Sequence, residues 1–201
     1  MVDGAEGTKD DVLRLLAEFR EKAEPLGVTV LRVATVEAAA RAIAEWAESF
    51  EADRVTVASE VTQRMPGIEM ALTSGGLRVR TAASPAETRD APLGLSMGRL
   101  AVAETGSVLM SEPSLADRSV GMLTLAQATI CPTAALVASL DDAAPLIREL
   151  ALAKGGVYST LVTGPSRTAD IERVLTVGVQ GPRKVMTLFV DDLRIGAPDG
   201  P

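Results

Sequence analysis

Three stretches of this sequence bring together the residue types and spacings that chemistry requires. The first is Thr163-Gly-Pro-Ser-Arg-Thr-Ala-Asp-Ile-Glu172. Gly164 permits a tight turn and Pro165 stiffens it. Ser166 or Thr168 can act as a helix N-cap, which leaves backbone N–H groups free for an anion. Arg167 adds a planar, two-pronged donor suited to a carboxylate or phosphate. Asp170 and Glu172 favour a simpler account, an ordinary strand-to-helix turn, because they already satisfy a helix dipole and repel an anion.

The second stretch is Gly178-Val-Gln-Gly-Pro-Arg183. Its glycines and proline specify a tight loop, from which Gln180, Gly181 and Arg183 could meet Arg167 in one cleft. A plain turn with a solvated arginine is the competing account. The third is Ala101-Val-Ala-Glu-Thr-Gly-Ser-Val108. A carboxylate between apolar strands is costly unless it is paired, solvent-facing or functional. Desolvation there would suit Glu104 to acid–base catalysis; otherwise Glu104 sits on a hairpin turn in water.

What the chain lacks narrows the chemistry further. It has no histidine, so it has no histidine base, histidine metal site or Ser-His-Asp triad. Ser96 and the hydroxyls between Ser111 and Ser119 therefore have no activating partner. Cys131 stands alone, which rules out an intrachain disulfide or a cysteine-held cluster and suggests a small buried hydrophobe. Asp117 and Arg118 read as a surface ion pair or cap. Asp141-Asp142 and Asp191-Asp192 read as helix-start and strand-end acids, so no metal is expected. No glycine-rich nucleotide motif is present, and no cofactor is expected in this chain. The net charge of −7 argues against nucleic acid and acidic membranes as partners. The acidic start does not resemble a signal peptide, and no apolar run reaches the roughly 18–20 residues of a membrane span, so a cytoplasmic protein is expected.

The positioning elements follow from hydrophobic period. Val12, Leu15, Leu16, Phe19 and Ala23 mark a helix, begun near Thr8 and Asp11 and ended by Pro25 and Gly27. Val36 to Phe50 marks a second helix, with Trp46 in the core. Val28–Val33, Arg54–Ala58, Leu77–Thr81, Val157–Val162 and Lys184–Val190 read as strands. Gly67–Thr73 reads as a helix, residues 82–92 as a loop or short helix, and Leu100–Met110 as two strands joined at Glu104–Ser107. Buried strands are expected around Pro132, at Thr129–Cys131 and Ala135–Ala138. Ser139 and Asp142 form a capping-box spacing before a helix over Ala143–Ala153. Ile171, Val174 and Leu175 mark a short helix, and Ser114–Gln127 has no clear period. Alternating strands and helices imply an α/β fold, a mostly parallel sheet flanked by helices. A single domain is expected over residues 8–192, with a disordered start (1–7) and a flexible tail (193–201). With aromatics at 2%, its core must be built from Ala, Val, Leu and Ile.

Taken together, Ala103-Glu-Thr-Gly106, Gly164-Pro-Ser-Arg-Thr-Ala-Asp-Ile-Glu172 and Gly181-Pro-Arg183 resemble the LUD (lactate utilization) domain family, over roughly residues 90–190. The resemblance implies a fold like that of ribose-5-phosphate isomerases and CoA transferases. It implies an accessory role in oxidising L-lactate to pyruvate, beside iron–sulfur partner proteins; joined to the arginines and turns above, it leads to the expectation that the chain binds a small anionic metabolite. Glutamine stands at Gln180 where the family pattern has histidine, and Leu123-Thr-Leu-Ala-Gln127 replaces a second histidine-bearing stretch. Glutamine hydrogen-bonds but cannot shuttle protons. On this reading Gly164, Ser166, Arg167, Thr168, Gln180, Gly181 and Arg183 hold the anion and Glu104 faces it. The alternative is a stand-alone enzyme acting on a phosphosugar or CoA thioester, with Glu104 as acid–base or nucleophile.

Overall fold

In the computed structural model, residues 9–112, 114–153, 157–169, 175–177 and 181–193 are described. Helix α1 (Lys9–Ala23) carries Asp10 and Asp11 in its first turn and Arg20 and Lys22 in its last, signs that suit the helix dipole. Pro25 falls in one 3-10 turn and Gly27 closes it before β1 (Val28–Val33). Helix α2 (Val36–Glu48) follows, its N-cap Thr35 accepting from the Ala38 N–H at 3.2 Å. Next come β2 (Arg54–Val57), the short helices α3 (Ser59–Arg64) and α4 (Ile68–Ser74), β3 (Arg78–Thr81) and α5 (Pro85–Thr88). Strand β4 (Leu93–Val102) turns at Glu104 into β5 (Ser107–Met110). The rest is α6 (Leu115–Leu123), β6 (Ala126–Pro132), β7 (Leu136–Val137), α7 (Leu140–Leu152), β8 (Thr160–Val162), β9 (Arg167–Ala169), β10 (Leu175–Val177) and β11 (Lys184–Val190).

The main sheet runs β1-β11-β6-β4-β2-β3, and every neighbouring pair in it is parallel. The expected mostly parallel, helix-flanked sheet is what the chain forms. Strand β4 leads two lives. Its first half pairs with β6 and β2, and its second half pairs with β5, β7 and so, through β5, with β8. The register slips between Gly98 and Leu100, which leaves Arg99 in a bulge. Gly98 has to be glycine because a Cβ there would overlap Cys131 Sγ and Val108.

The central strands are buried almost throughout, and successive side chains alternate between the two covered faces of the sheet. Val28 and Val30 of β1, and Val185 and Phe189 of β11, face α1 through Leu16, Phe19 and Ala23. Met186, Leu188 and Val190 face the other way, against a core that includes Ala39, Ala40 and Ile43 of α2. Helix α7 covers the β4–β5 hairpin with Ala143 and Leu150. Leu193, after the last strand, is buried in the main core.

Two expectations need correction. Trp46 lies at the core margin, half-buried and edge-to-face on Phe50 at 5.0 Å, because its large ring fits there with one edge in solvent. The short helix marked by Leu175 is also not formed there. Arg167–Ala169 is extended and pairs antiparallel with Leu175–Val177. β-Branched Thr168, Thr176 and Val177 suit that ladder better than a helix turn. Ile171 and Val174, with Asp170 and Glu172, lie outside the described residues, as do residues 1–7 and 194–201.

Candidate functional site

The Gly-Pro-rich blocks meet each other, in a structural joint at the amino ends of the parallel strands. Gly164 takes φ 72°, where a Cβ would press on Leu26 at 3.2 Å. The Ser166 N–H donates to the Pro182 carbonyl at 3.0 Å, and Gly181 packs against Ser166. Arg167 Nη2 donates to the Leu26 carbonyl at 2.6 Å. The Arg183 N–H donates to the Leu125 carbonyl at 2.8 Å, and its side chain is exposed. Thr168 contributes extended backbone to β9, and Gln180 lies outside the described residues. With Arg167–Ala169 extended, Ser166 and Thr168 stand at a strand and not at the helix start expected of them. In parallel sheets ligands gather at the opposite, carboxyl ends of the strands.

The Glu104 turn is tied to this joint by a hydrogen bond between the Ser107 and Thr163 hydroxyls, but the Glu104 carboxylate finds its partner elsewhere. It is exposed, and its Oε1 accepts from the Leu140 N–H at 2.7 Å, at the first turn of α7. Ser139 and Asp142 complete the capping box they were expected to form. No hydrogen bond or ion pair links Glu104 to Arg167 or Arg183. The fold uses Glu104 as a helix-capping acceptor, because an exposed turn beside four orphan N–H groups offers it that partner. Glu104→Ala is expected to cost about 1 kcal/mol of stability. Thermal unfolding reads the loss, and ligand binding should stay unchanged.

A second constellation gathers at the carboxyl ends of β2 and of the parallel half of β4. Ser59 and Glu60 open α3, Arg99 comes from the β4 bulge, Glu112 follows β5, and Asp117 and Arg118 belong to α6. Glu60 Oε1 accepts from Arg99 at 3.0 Å and Arg64 at 3.3 Å. Asp117 is buried rather than at the surface. It accepts from the Ser59 N–H at 2.6 Å, the Ser59 hydroxyl at 2.9 Å and the Ser114 hydroxyl at 2.6 Å. It is therefore not paired with Arg118, whose guanidinium lies over the Tyr158 ring at 4.9 Å. Consecutive helix residues do not face each other, and that separates the two.

Glu112 and Arg118 line a pocket of about 120 Å³ between α6, β6 and the β5–β8 pair. Met110 and Met122 supply apolar wall, and Gln127, Thr129 and Thr160 supply polar groups. The sequence pattern had marked Gln127 as a departure from histidine; here it faces the pocket. Gly181 approaches the carbonyl of Met122, so the loop joint backs one wall without lining it. Burial pushes the Glu112 carboxyl up to about 7, against its own backbone N–H, and Glu60 and Asp117 add to the rise. Burial also raises Glu60, although Arg99 and Arg64 pull it down. Cys131, buried as expected, is pushed up to about 12 by burial, so it stays a thiol.

Buried polar atoms without a protein partner also cluster here. Among the described residues they include Ser96 Oγ, Arg99 Nε, Ser111 Oγ and Arg118 Nε. Sequence reading missed this site because its members span residues 59–160 and form no contiguous block. One signal was available: Ser114 and Asp117 have N-cap spacing, which places Glu112 and Arg118 around a helix start.

The fold and this pocket define an α/β domain with a small cavity lined by Glu112 and Arg118 among apolar and hydroxyl-bearing side chains. The chain belongs to the LUD domain family, whose pattern matches residues 16–190. It is 38% identical over 104 residues to lactate utilization protein C of Shouchella clausii, covering 51% of this chain and 45% of that protein. It is 32% identical over 109 residues to lactate utilization protein C of Bacillus subtilis, covering 53% and 45%. The matched region thus spans less than half the length of these relatives. A crystal structure of a DUF162 family protein from Deinococcus radiodurans shares the fold, at TM-score 0.65 and 22% identity, covering 89% of this chain and 98% of that one. Among the described residues no helix is long and apolar enough to cross a membrane.

Proposed function

We propose that this domain is an accessory component of bacterial L-lactate utilization, working in the cytoplasm beside iron–sulfur partner proteins, and that it binds a small anionic metabolite in the Glu112–Arg118 pocket. The relatives named lactate utilization protein C support the lactate setting. The observation that carries the binding reading is Arg118. Its guanidinium is half-buried and stacked on Tyr158, its Nε has no partner among the described residues, and it opens on the pocket. A guanidinium placed this way holds planar anions well.

Pocket size favours a compact ligand. About 120 Å³ is well below the roughly 300–1,000 Å³ of sites for larger molecules, so a CoA thioester or phosphosugar suits it less. A stand-alone enzyme is the second reading, favoured by the raised carboxyl of Glu112. In that reading Glu112, rather than Glu104, is the acid–base group. Isothermal titration of the full chain with L-lactate and with pyruvate tests the leading reading. Saturable one-site binding of at least one of them is expected, and no saturable binding of either overturns it.

A further inference from the structure

We infer that this pocket reads its ligand with a cation and a neutral acid together: Arg118 takes one oxygen of a carboxylate, and the Glu112 carboxyl, holding its proton, donates to the other. The ligand class so defined is a small monocarboxylate with one negative charge. The inference rests on the binding reading above and adds a proton to it.

The geometry singles out Glu112 among three neighbouring acids. Glu60 is neutralised by Arg99 and Arg64, and Asp117 is satisfied by Ser59 and Ser114. Glu112 is buried, lines the same pocket as Arg118, and forms no ion pair with it. The charged groups facing it are Glu60 from α3 and Asp117 and Arg118 from α6. Gln127 and Thr129 from β6, and Tyr158 and Thr160 from the β8 side, line the same pocket with uncharged side chains. An ionised Glu112 would repel a carboxylate in this small space, whereas a protonated one donates a hydrogen bond to it. Gln127, Thr129 and Thr160 remain for a second substituent, such as the hydroxyl or oxo group of a 2-substituted acid.

The balance is simple. Above the range in which free Glu112 holds its proton, each ligand bound draws one proton from solvent onto the carboxyl. The sign follows from the raised carboxyl: affinity is level below about 7 and falls about tenfold per pH unit above it. Titration calorimetry with pyruvate, in paired buffers of different ionisation enthalpy, counts that proton. At about pH 8 uptake close to one proton is expected, and at about pH 6 close to none. Glu112→Gln should bind more weakly at the lower pH, show no proton uptake, and lose the pH dependence. Malonate, with a second charge, should bind about tenfold or more weaker than pyruvate. Wild-type affinity that is level across this range with no proton uptake would overturn the inference while leaving anion binding intact. Malonate binding as tightly as pyruvate would overturn the monocarboxylate class. Failure of every anion to bind would instead remove the underlying reading. The wild-type proton count stands even if Glu112→Gln fails to fold.

Discussion

Arg118→Leu is expected to weaken pyruvate or L-lactate binding by about 10- to 150-fold, which corresponds to about 1.5–3 kcal/mol for hydrogen bonds to a charged group. The size of the loss follows from the surroundings. The guanidinium is half-buried, makes no ion pair among the described residues, and is oriented by the Tyr158 ring at 4.9 Å. It needs little reorganisation to meet an anion, and leucine leaves nothing to replace it. Arg118→Lys should recover only part of the loss, because an ammonium keeps the charge but loses the planar fork and the stack. Stability should change little, since among the described residues the Arg118 side chain forms no hydrogen bond or ion pair, and its contacts are the Tyr158 ring and a charge interaction with Glu112. Titration calorimetry beside thermal unfolding separates the two effects.

Phe189→Ala is expected to produce the largest loss of stability, about 3–5 kcal/mol. For a domain of this size that corresponds to roughly 6–20 °C in melting temperature. Phe189 is fully buried near the carboxyl end of β11 and meets Phe19 edge-to-face at 5.2 Å. The chain has only three phenylalanines, and the cluster around Phe189, built from valine, alanine and cysteine with Leu16, Phe19, Met110 and Leu136, holds no second ring that could take its place beside Phe19. The same packing explains why α1 stays on the sheet: Phe19 is its largest buried contact. A melt followed by far-ultraviolet circular dichroism measures the shift.

Local structure was written plainly in the sequence. Alternating Val28–Val33 gave a strand with those limits, the Ser139–Asp142 spacing gave a capping box, and Glu104–Ser107 gave the hairpin turn. These signals lie within a few residues of one another, so chain topology does not alter them. Strand β4 was legible only in part. It joins two pairing environments across a bulge, and its parallel half, beginning at Leu93, needs β2 and β6 on either side to be recognised.

The candidate site was hidden for the same reason. Glycine and proline blocks draw attention because they are contiguous, yet here they lock Leu26, Ser166 and Pro182 into a joint. Glu60, Arg99, Glu112 and Arg118 are ordinary charges in the sequence, and only the parallel crossovers bring them together. Arg118 looked like the partner of Asp117 because the two are adjacent; the helix turns them apart, and Asp117 is taken by Ser59. Gln127 was noticed for the histidine it replaces, and its place in the pocket gives that substitution a physical setting.

The most direct test is an amide chemical-shift map of the isotope-labelled chain, titrated with pyruvate and with L-lactate. The account predicts saturable shifts centred on Glu112, Arg118, Gln127, Thr129, Tyr158 and Thr160, the residues around the pocket. Shifts centred on Gly164–Arg167 and Gly181–Arg183, or no saturable shift with either acid, would contradict it.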